Sequence, residues 1–313
     1  MSDNNTSWER EVVTQLAEAS LKEQRRSRRW GILFKLLTFA YIGAIIYMFG
    51  DASLTKVDLN NKHTALVDIT GVIADNEKAS ADSIVTSLRS AFESENSAGV
   101  IIRINSPGGS PVQSGYIYDE IVRLREKHPD TPLYAVVSDI GASGGYYIAS
   151  AADKIYADKA SIVGSIGVRM DNFGFVEAID KLGIERRTLT AGENKALLDP
   201  FLPEDKKTKA HMQTMLTEIH QQFIDSVKKG RGDRLDTSVE GLFEGLIWTG
   251  EAAVNIGLVD ELGSSSYVAR EVIGEETIVD YTVQEDILER FAERLGSSVA
   301  EVISTKFFST TPR

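Results

Sequence analysis

The residues best suited to chemistry lie around Ser143, in the segment Asp139-Ile-Gly-Ala-Ser-Gly-Gly-Tyr146. The preceding apolar run, Leu133–Val137, is typical of a buried strand, and the small and apolar residues of Tyr146–Ala152 favour a buried helix. A serine at the turn from strand to helix lies at the positive end of the helix dipole, where backbone N–H groups are free. The segment therefore predicts a nucleophile beside an oxyanion-binding site, as acyl-transfer enzymes require.

A second glycine-containing loop, Asn105-Ser-Pro-Gly-Gly-Ser110, follows the predicted strand Val100–Ile104. Adjacent glycines allow a backbone to approach a ligand closely. The loop could be a simple turn with Ser110 as the N-cap of the next helix. A phosphate cradle is a weaker alternative, because the loop lacks a Gly-Lys-Ser/Thr sequence. Together with the Ser143 turn, the favoured interpretation is a loop that supplies a backbone N–H facing that serine.

A serine nucleophile needs a group that accepts its proton. The histidines lie in strand, turn and polar-helix contexts that indicate structural or solvated side chains: His63, His128, His211 and His220. A lysine can serve instead if its pKa falls from about 10.4 toward about 7–8, which requires burial away from carboxylates. Lys195 lies in a glycine-containing loop, Thr190–Phe201, that runs into an apolar stretch. Composition alone does not distinguish it from the other lysines.

The elements that must position these loops alternate between strands and helices. Apolar runs predict strands, and helical spacing of apolar residues predicts the helices between them. This alternation indicates an α/β domain with parallel crossovers. The predicted strands are 63–73, 100–104, 133–137, 154–157 and 162–168, and the predicted helices are 83–92, 112–127, 175–182 and a long polar helix over 203–229.

The N-terminal region carries a predicted membrane anchor, Trp30–Phe49, in which Lys35 is the one charged residue. About 20 residues at 1.5 Å each span a bilayer core of roughly 30 Å. Arginines cluster before this stretch and no basic cluster follows it, so the positive-inside rule predicts a cytoplasmic N-terminus and a catalytic body outside the cytoplasm. A cleaved secretory signal is the alternative, but Met48–Ala52 is a poor cleavage site. Residues 8–24 predict a short cytoplasmic amphipathic helix.

Composition narrows the function classes. The formal net charge is −12, and residues 1–50 carry seven basic and five acidic side chains, so the negative charge lies in the rest of the chain. An acidic body argues against a nucleic-acid partner. The chain has no cysteine, which excludes disulfides, cysteine nucleophiles and thiolate metal sites. No metal or cofactor is expected.

Four motifs in order, together with the basic-flanked anchor, resemble the short, single-domain form of the signal peptide peptidase A family, the membrane-anchored S49 serine peptidases of bacteria. They are Asn105–Ser110, Ala142–Tyr146, Val163–Gly167 and Ala191–Lys195. The resemblance covers about residues 60–275. It implies that Ser143 is the nucleophile and that Lys195, 52 positions later, is the general base. It also implies that Ser165 orients the lysine amine, and that the N–H groups of Gly144 and of Gly108 or Gly109 hold the oxyanion.

The same resemblance implies the architecture. The expected fold is an α/β core like those of caseinolytic protease (ClpP) and crotonase, with parallel strands and crossover helices, preceded by one transmembrane helix. The expected partners are signal peptides, with unfolded exported segments as a second source of substrate, and the membrane. Further copies of the chain are also expected, in a ring whose active sites can combine Ser and Lys from neighbouring subunits. The expected organisation is a cytoplasmic segment (1–29), anchor (30–49), linker (50–62), peptidase domain (63–275) and C-terminal extension (276–313).

The sequence leaves three alternative functions open. A crotonase-type acyl-CoA enzyme would use the same paired N–H groups without an acyl-enzyme, although the anchor and the absence of a basic site for CoA phosphates disfavour it. A non-catalytic membrane scaffold would be expected to lack the serine or the lysine. A related S49 protease that cleaves one specific membrane protein is barely distinguishable from an enzyme that clears signal peptides.

Overall fold

The computed structural model of the chain describes residues 5–50 and 61–283. It divides into two units, Met1–Asp58 and Leu59–Arg313, of which the second contains the predicted catalytic motifs. The predicted linker and the C-terminal extension fall largely outside the described residues.

The first unit is built on one continuous helix, α1, which runs from Asn5 to Gly50. The predicted amphipathic segment 8–24 and the predicted anchor Trp30–Phe49 therefore belong to the same helix. Its large apolar side chains are exposed wherever they are described, as Phe34 and Phe39 illustrate. No helix within the described ranges is both long enough and apolar enough to cross a membrane, so the predicted transmembrane anchor is not confirmed.

The second unit alternates strands and helices, as the sequence predicts. Its strands are β1 (His63–Thr70), β2 (Ser97–Ser106), β3 (Leu133–Ala142), β4 (Lys154–Ala157), β5 (Ile162–Gly164), β6 (Ile247–Thr249), β7 (Glu261–Leu262) and β8 (Ile278–Asp280). Its helices are α2 (Ala81–Glu93), α3 (Pro111–Lys127), α4 (Gly144–Ala149), α5 (Val176–Lys181), α6 (Lys206–Arg231), α7 (Gly250–Asn255) and α8 (Ser265–Tyr267), which continues as a π-helical turn over Val268–Ile273.

The strands form one sheet in the order β6-β5-β3-β2-β1-β8, and β4 and β7 extend it from β3. All pairs are parallel except β5 with β6. Strand β3 has two partners in succession, because its first half pairs with β4 and Ile140–Ala142 pairs with β5. The predicted α/β fold with parallel strands and crossover helices is confirmed, and the sheet extends past residue 275 through β8.

The central strands are buried on both faces, which explains their nearly continuous apolar runs. In β2, Val100, Ile102 and Ile104 join the large core cluster that includes residues of α2, α3, α4 and α6, whereas Ile101 joins a smaller cluster with Val268 of the π-helical turn. This double burial holds the carboxyl ends of β2 and β3 rigidly. The two glycine-containing loops leave the sheet there.

Strand β5 is shorter than predicted. The sequence predicts a strand over 162–168, whereas β5 ends at Gly164. Gly164 has φ +101° and Ser165 has φ +54°, values outside the β region, so the chain must turn at these two residues. The apolar residues Ile166 and Val168 extend the hydrophobic pattern but not the backbone pairing.

A buried ion pair holds the end of α6. Arg231 is 1% exposed, and its Nη1 donates to Asp260 Oδ2 at 2.7 Å while its Nε donates to the carbonyl of Gly257 at 2.9 Å. The neighbouring Gly230 lies directly against α4, because a Cβ there would be 1.8 Å from the carbonyl oxygen of Ser150. The ion pair therefore supports the packing of α6 on the helix that follows Ser143.

Replacing Asp260 by asparagine is expected to lower the free energy of unfolding by about 3–5 kcal/mol, because Arg231 would keep its charge without a partner. Burial by itself raises the pKa of the Asp260 carboxyl, but Arg231 and the Ile155 N–H outweigh it and hold that pKa below its ordinary value. This carboxyl therefore contributes stability above the unfolded-state pKa of about 3.9, and the contribution is lost as the pH falls through the folded-state pKa.

Urea unfolding of wild type and D260N at pH 7 and near pH 3 measures this difference, which should shrink at the lower pH. The variant E271Q is the matched control, since the pair of Arg270 with Glu271 is about half exposed and its loss should cost less than about 1 kcal/mol. Equal midpoints for wild type and D260N at pH 7 would contradict the argument.

Candidate active site

Ser143 lies between the end of β3 and the first residue of α4, with a strained backbone of φ 52° and ψ −122°. Such values are costly for a residue with a Cβ and persist only where the surroundings enforce them. The Ser143 N–H donates to the carbonyl of Gly164 at 2.8 Å, and its carbonyl accepts from the N–H of Tyr147 at 2.9 Å. Its hydroxyl caps no backbone group of α4 and borders a cavity of about 1120 Å³.

The helix that follows Ser143 is held by Tyr146, which is completely buried. Its hydroxyl donates to the carbonyl of Leu258 at 2.8 Å. Burial raises the pKa of the Tyr146 phenol well above its ordinary value, so this side chain stays a neutral donor. The first turn of α4 is thereby tied to the chain segment that follows α7.

The loop after β2 reaches the same cavity. Gly108 has φ +99°, and its carbonyl accepts from the N–H of Ile73 at 3.0 Å while its own N–H donates to the hydroxyl of Ser106 at 3.1 Å. Within the described ranges, the N–H groups of Gly109 and Gly144 have no hydrogen-bond acceptor. Three glycines were predicted as candidate donors to an oxyanion. In the structure, Gly109 and Gly144 have free N–H groups, whereas the N–H of Gly108 is already bonded to Ser106.

The two loops touch, and glycine is what permits the contact. A Cβ on Gly108 would lie 2.7 Å from both the Gly144 nitrogen and the Ser143 Cβ. A Cβ on Gly144 would lie 2.4 Å from the Ser114 hydroxyl and 3.3 Å from the Gly109 nitrogen. The free N–H groups of Gly109 and Gly144 are thus close neighbours beside Ser143. This is the arrangement that holds an oxyanion.

Ser165, the third predicted side chain, borders the same cavity. Its N–H donates to the carbonyl of Leu246 at 2.7 Å, and the preceding Gly164 packs against the Trp248 ring so tightly that a Cβ there would lie 2.7 Å from it. These contacts with the chain near β6 hold the turn after β5 in place. The structure therefore brings Ser143, Ser165 and the three glycines together around one cavity.

Lys195 is not at this cavity within a single chain. It lies in a turn in which its N–H donates to the carbonyl of Gly192 at 3.1 Å, and its side chain is exposed. A lysine base was expected to be buried, and its own chain does not bury it. The residues before Lys195, from 183 onward, are exposed as well, whereas residues 196–202 after it are half-buried.

The cavity walls include apolar side chains of α3, α4 and α6, together with polar ones such as Asp119, Gln222 and Glu244. Tyr147 and Phe223 stack with their ring centroids 4.8 Å apart, and the Ser226 hydroxyl donates to the Tyr147 hydroxyl at 3.1 Å. The contribution of α6 was not predicted as part of the site. Ile219 and Phe223 are four residues apart in the sequence, a spacing that predicts one apolar helix face. This spacing predicts that the face is buried, but it does not show which part of the protein the face packs against.

The histidines have structural settings, as the sequence indicates. His63 is buried and its ring nitrogens lie 2.9 Å from the Asn61 carbonyl and 2.9 Å from the Tyr281 hydroxyl. The ring of His220 lies 3.1 Å from the carbonyl of Ile166. The described residues that line the cavity include no histidine and no lysine, and the described part of the chain contains no cluster of metal-ligating side chains.

A serine with an uncapped hydroxyl, next to two free backbone N–H groups where central parallel strands end, is the arrangement that serine hydrolases use. The model of peptidase family S49 matches residues 125–277, a range that includes Ser143, Ser165 and Lys195. "Putative protease MJ0651" of Methanocaldococcus jannaschii is 31% identical over 80% of this chain and 81% of its own length. "Putative signal peptide peptidase SppA" of Enterococcus faecium is 31% identical over 84% of this chain and 80% of its own length.

The chain therefore belongs to peptidase family S49, as its motifs predicted, and this membership supports a serine peptidase. A third relative has a different name. "Na(+)/H(+) antiporter NhaA" of Brucella abortus is 46% identical over 60% of this chain, but the match covers only 25% of the antiporter's own length.

Proposed function

We propose that this chain is a serine endopeptidase in which Ser143 attacks a peptide carbonyl and the N–H groups of Gly109 and Gly144 hold the resulting oxyanion. One observation carries the proposal: the nucleophile and two unpartnered backbone donors border the same cavity. Donors of this kind are worth roughly 3–4 kcal/mol each in the transition state. They need no reorganisation, because the strained turn and the glycine contacts already hold them.

The proton acceptor in this proposal is Lys195 of a second copy of the chain. Among the described residues that line the cavity, Arg169 is the one basic side chain, and an arginine guanidinium is not a general base. Lys195 is exposed in its own chain, so it is available to a neighbour. Entry into the cavity of that neighbour would bury the amine, and burial by itself favours the neutral form of a lysine. Ser165, on the cavity wall, is placed to orient that amine.

The segment around Lys195 supports association of several copies. It exposes large apolar side chains, among them Phe173 (73% exposed), Leu182 (73%) and Leu189 (101%). Isolated exposed apolar residues are ordinary, but a run of them on one segment is typical of a protein interface. The proposed occupant of this surface is another copy of the chain, arranged in a closed ring because head-to-tail contacts either close or form fibres.

The proposed reaction has two steps, acylation of Ser143 and hydrolysis of the acyl-enzyme. Neutral Lys195 accepts the proton of the Ser143 hydroxyl as the oxygen bonds to the peptide carbonyl carbon, and the lysine then gives that proton to the leaving amine as the C–N bond breaks. A water molecule next attacks the acyl-enzyme, with the lysine again accepting and returning a proton. The products are two shorter peptides and free Ser143.

The proposed substrates are peptides with apolar side chains near the cleaved bond, since the cavity lining offers Val112, Tyr116, Ile219 and Phe223 as apolar contacts. Signal peptides left in the membrane are such peptides, and unfolded exported segments are a second source. The name of the Enterococcus faecium relative agrees with the first. Comparing kcat/KM for an apolar peptide and its aspartate-substituted analogue measures this preference. Equal values would contradict the proposed preference for apolar substrates.

The proposal includes a membrane anchor with the N-terminus in the cytoplasm and the peptidase unit outside it. The arginines that precede Trp30–Phe49 and the exposed apolar side chains of α1 support this. In a bacterial membrane fraction, the full chain should resist extraction by alkaline carbonate, and protease added to the outside of spheroplasts should degrade the second unit. Release by carbonate would contradict the anchor without affecting the peptidase assignment.

Labelling by a fluorophosphonate tests the peptidase assignment directly. The full-length wild-type protein in detergent should lose peptidase activity as the reagent reacts, and mass spectrometry should locate the phosphonyl group on Ser143. An acyl-CoA enzyme of the crotonase type would have no reactive serine and would stay unlabelled. Labelling elsewhere with Ser143 unmodified would overturn the nucleophile assignment.

A further inference from the structure

Ser106 is a buried serine to which the proposed mechanism gives no role. It is the last residue of β2, is 0% exposed, and pairs with Gly141 of β3 beyond an irregularity in the register of the two strands. Its hydroxyl accepts the N–H of Gly108 at 3.1 Å. A buried hydroxyl normally has a hydrogen-bond partner, so the significant point is which backbone group Ser106 engages.

The bond to Ser106 decides which N–H of the loop is free. Gly108 uses its N–H on Ser106 and its carbonyl on Ile73, and Ser110 donates its own N–H to the Ile73 carbonyl at 2.7 Å. The N–H of Gly109 lies between these engaged groups and has no acceptor in the described part of the chain. Without the Ser106 hydroxyl, the Gly108 N–H would be a second free donor, and the loop could turn either N–H toward the cavity.

Ser106 also contacts the helix that carries the other donor. A Cβ on Gly145 would lie 3.0 Å from the Ser106 carbonyl oxygen and 3.5 Å from the Ser106 Cβ. The first turn of α4, which begins with Gly144, therefore packs against Ser106. Ser106 therefore lies beside both halves of the oxyanion site, with its hydroxyl on the Gly108 N–H and its backbone against the first turn of α4.

We propose that Ser106 is a positioning residue for the oxyanion site: its hydroxyl holds the Gly108 N–H so that the Gly109 N–H faces the reacting carbonyl oxygen. This inference rests on the proposed function, because it concerns the transition state of the Ser143 reaction. Ser106 itself touches no reacting atom.

The test compares S106A with S87A in the full-length protein. Ser87 is a matched control, since it is 1% exposed and its hydroxyl accepts the N–H of Val283 at 2.9 Å, but it lies on α2 and its hydroxyl holds no N–H of the loop after β2. S106A is expected to lower kcat about tenfold or more with KM nearly unchanged, because an oxyanion interaction acts in the transition state. The rate of fluorophosphonate labelling should fall in parallel. S87A should keep the wild-type kcat, KM and labelling rate.

Thermal unfolding of both variants separates positioning from a general loss of stability. A fall in kcat for S106A alone, at a similar loss of thermal stability in both variants, supports the inference. A wild-type kcat for S106A, or an equal fall in both variants, overturns it. If S106A does not fold, S106C takes its place, because a thiol is a weaker acceptor of nearly the same size. An unlabelled wild-type protein would instead overturn the proposed function.

Discussion

Replacing Ser143 by alanine is expected to lower kcat/KM for an apolar peptide by about 10⁴-fold or more, because loss of the nucleophile of a catalytic set removes nearly all the rate that the set supplies. The same variant should not react with a fluorophosphonate. The stability of the fold should change little, since the hydroxyl caps no backbone group and alanine keeps the Cβ that the strained turn already accommodates. Hydrolysis assays and thermal unfolding of the same preparation measure both quantities.

The outcome separates the chemical classes that share this site. Retention of more than about a tenth of the wild-type kcat/KM in S143A would rule out an acyl-enzyme at this serine, because the remaining oxyanion interactions cannot supply that rate alone. It would leave a crotonase-type use of Gly109 and Gly144 as the better explanation. A preparation of S143A that unfolds at a much lower temperature than wild type would contradict the structural argument about the turn.

Mixing two inactive variants is expected to restore activity. S143A retains Lys195 and K195A retains Ser143. If the base comes from a neighbouring copy, a complete pair forms wherever K195A supplies the serine side of a contact and S143A supplies the lysine side. Random co-assembly of equal amounts should regain about a quarter of the wild-type rate, since one ordered neighbour pair in four has an intact serine facing an intact lysine in a ring with one type of contact. The two variants are co-expressed in the full-length form, and their hydrolysis rate is compared with that of each alone.

The control for this experiment is co-expression of K195A with the double variant S143A/K195A, which cannot produce a complete pair in any arrangement. It should stay inactive while assembling normally. An inactive mixture of S143A and K195A, with co-assembly shown by pull-down, would mean that the lysine does not come from a neighbour. Lys195 could then act only if residues 169–205 rearranged so that its side chain entered the cavity of its own chain.

Local sequence patterns were sufficient for the parts of the site that lie next to each other in the chain. The apolar run before Ser143 and the small residues after it predicted the turn between β3 and α4, because strand and helix periodicity and glycine preference act over a few residues. The N-cap role of Ser110 is a second example, since its hydroxyl accepts the N–H of Gln113 at 3.4 Å as predicted. Strand β4 has the predicted bounds for the same reason.

The motifs around Ser143, Ser165 and Lys195 were also sufficient to predict the family to which the chain belongs. Other features depended on contacts between distant residues, which periodicity does not record. The length of β5 depended on the turn at Gly164 and Ser165, and the wall formed by Phe223 depended on where α6 packs. Only the tertiary structure showed that Gly109, not Gly108, has the free N–H, because that choice depends on the Ser106 hydroxyl and on Ile73, which lies 35 positions before Gly108. It also showed that a single chain leaves the Lys195 side chain exposed, because the contacts of its own chain with this loop, such as Phe175 with Phe201 and Lys207 with Glu193, involve neighbouring residues.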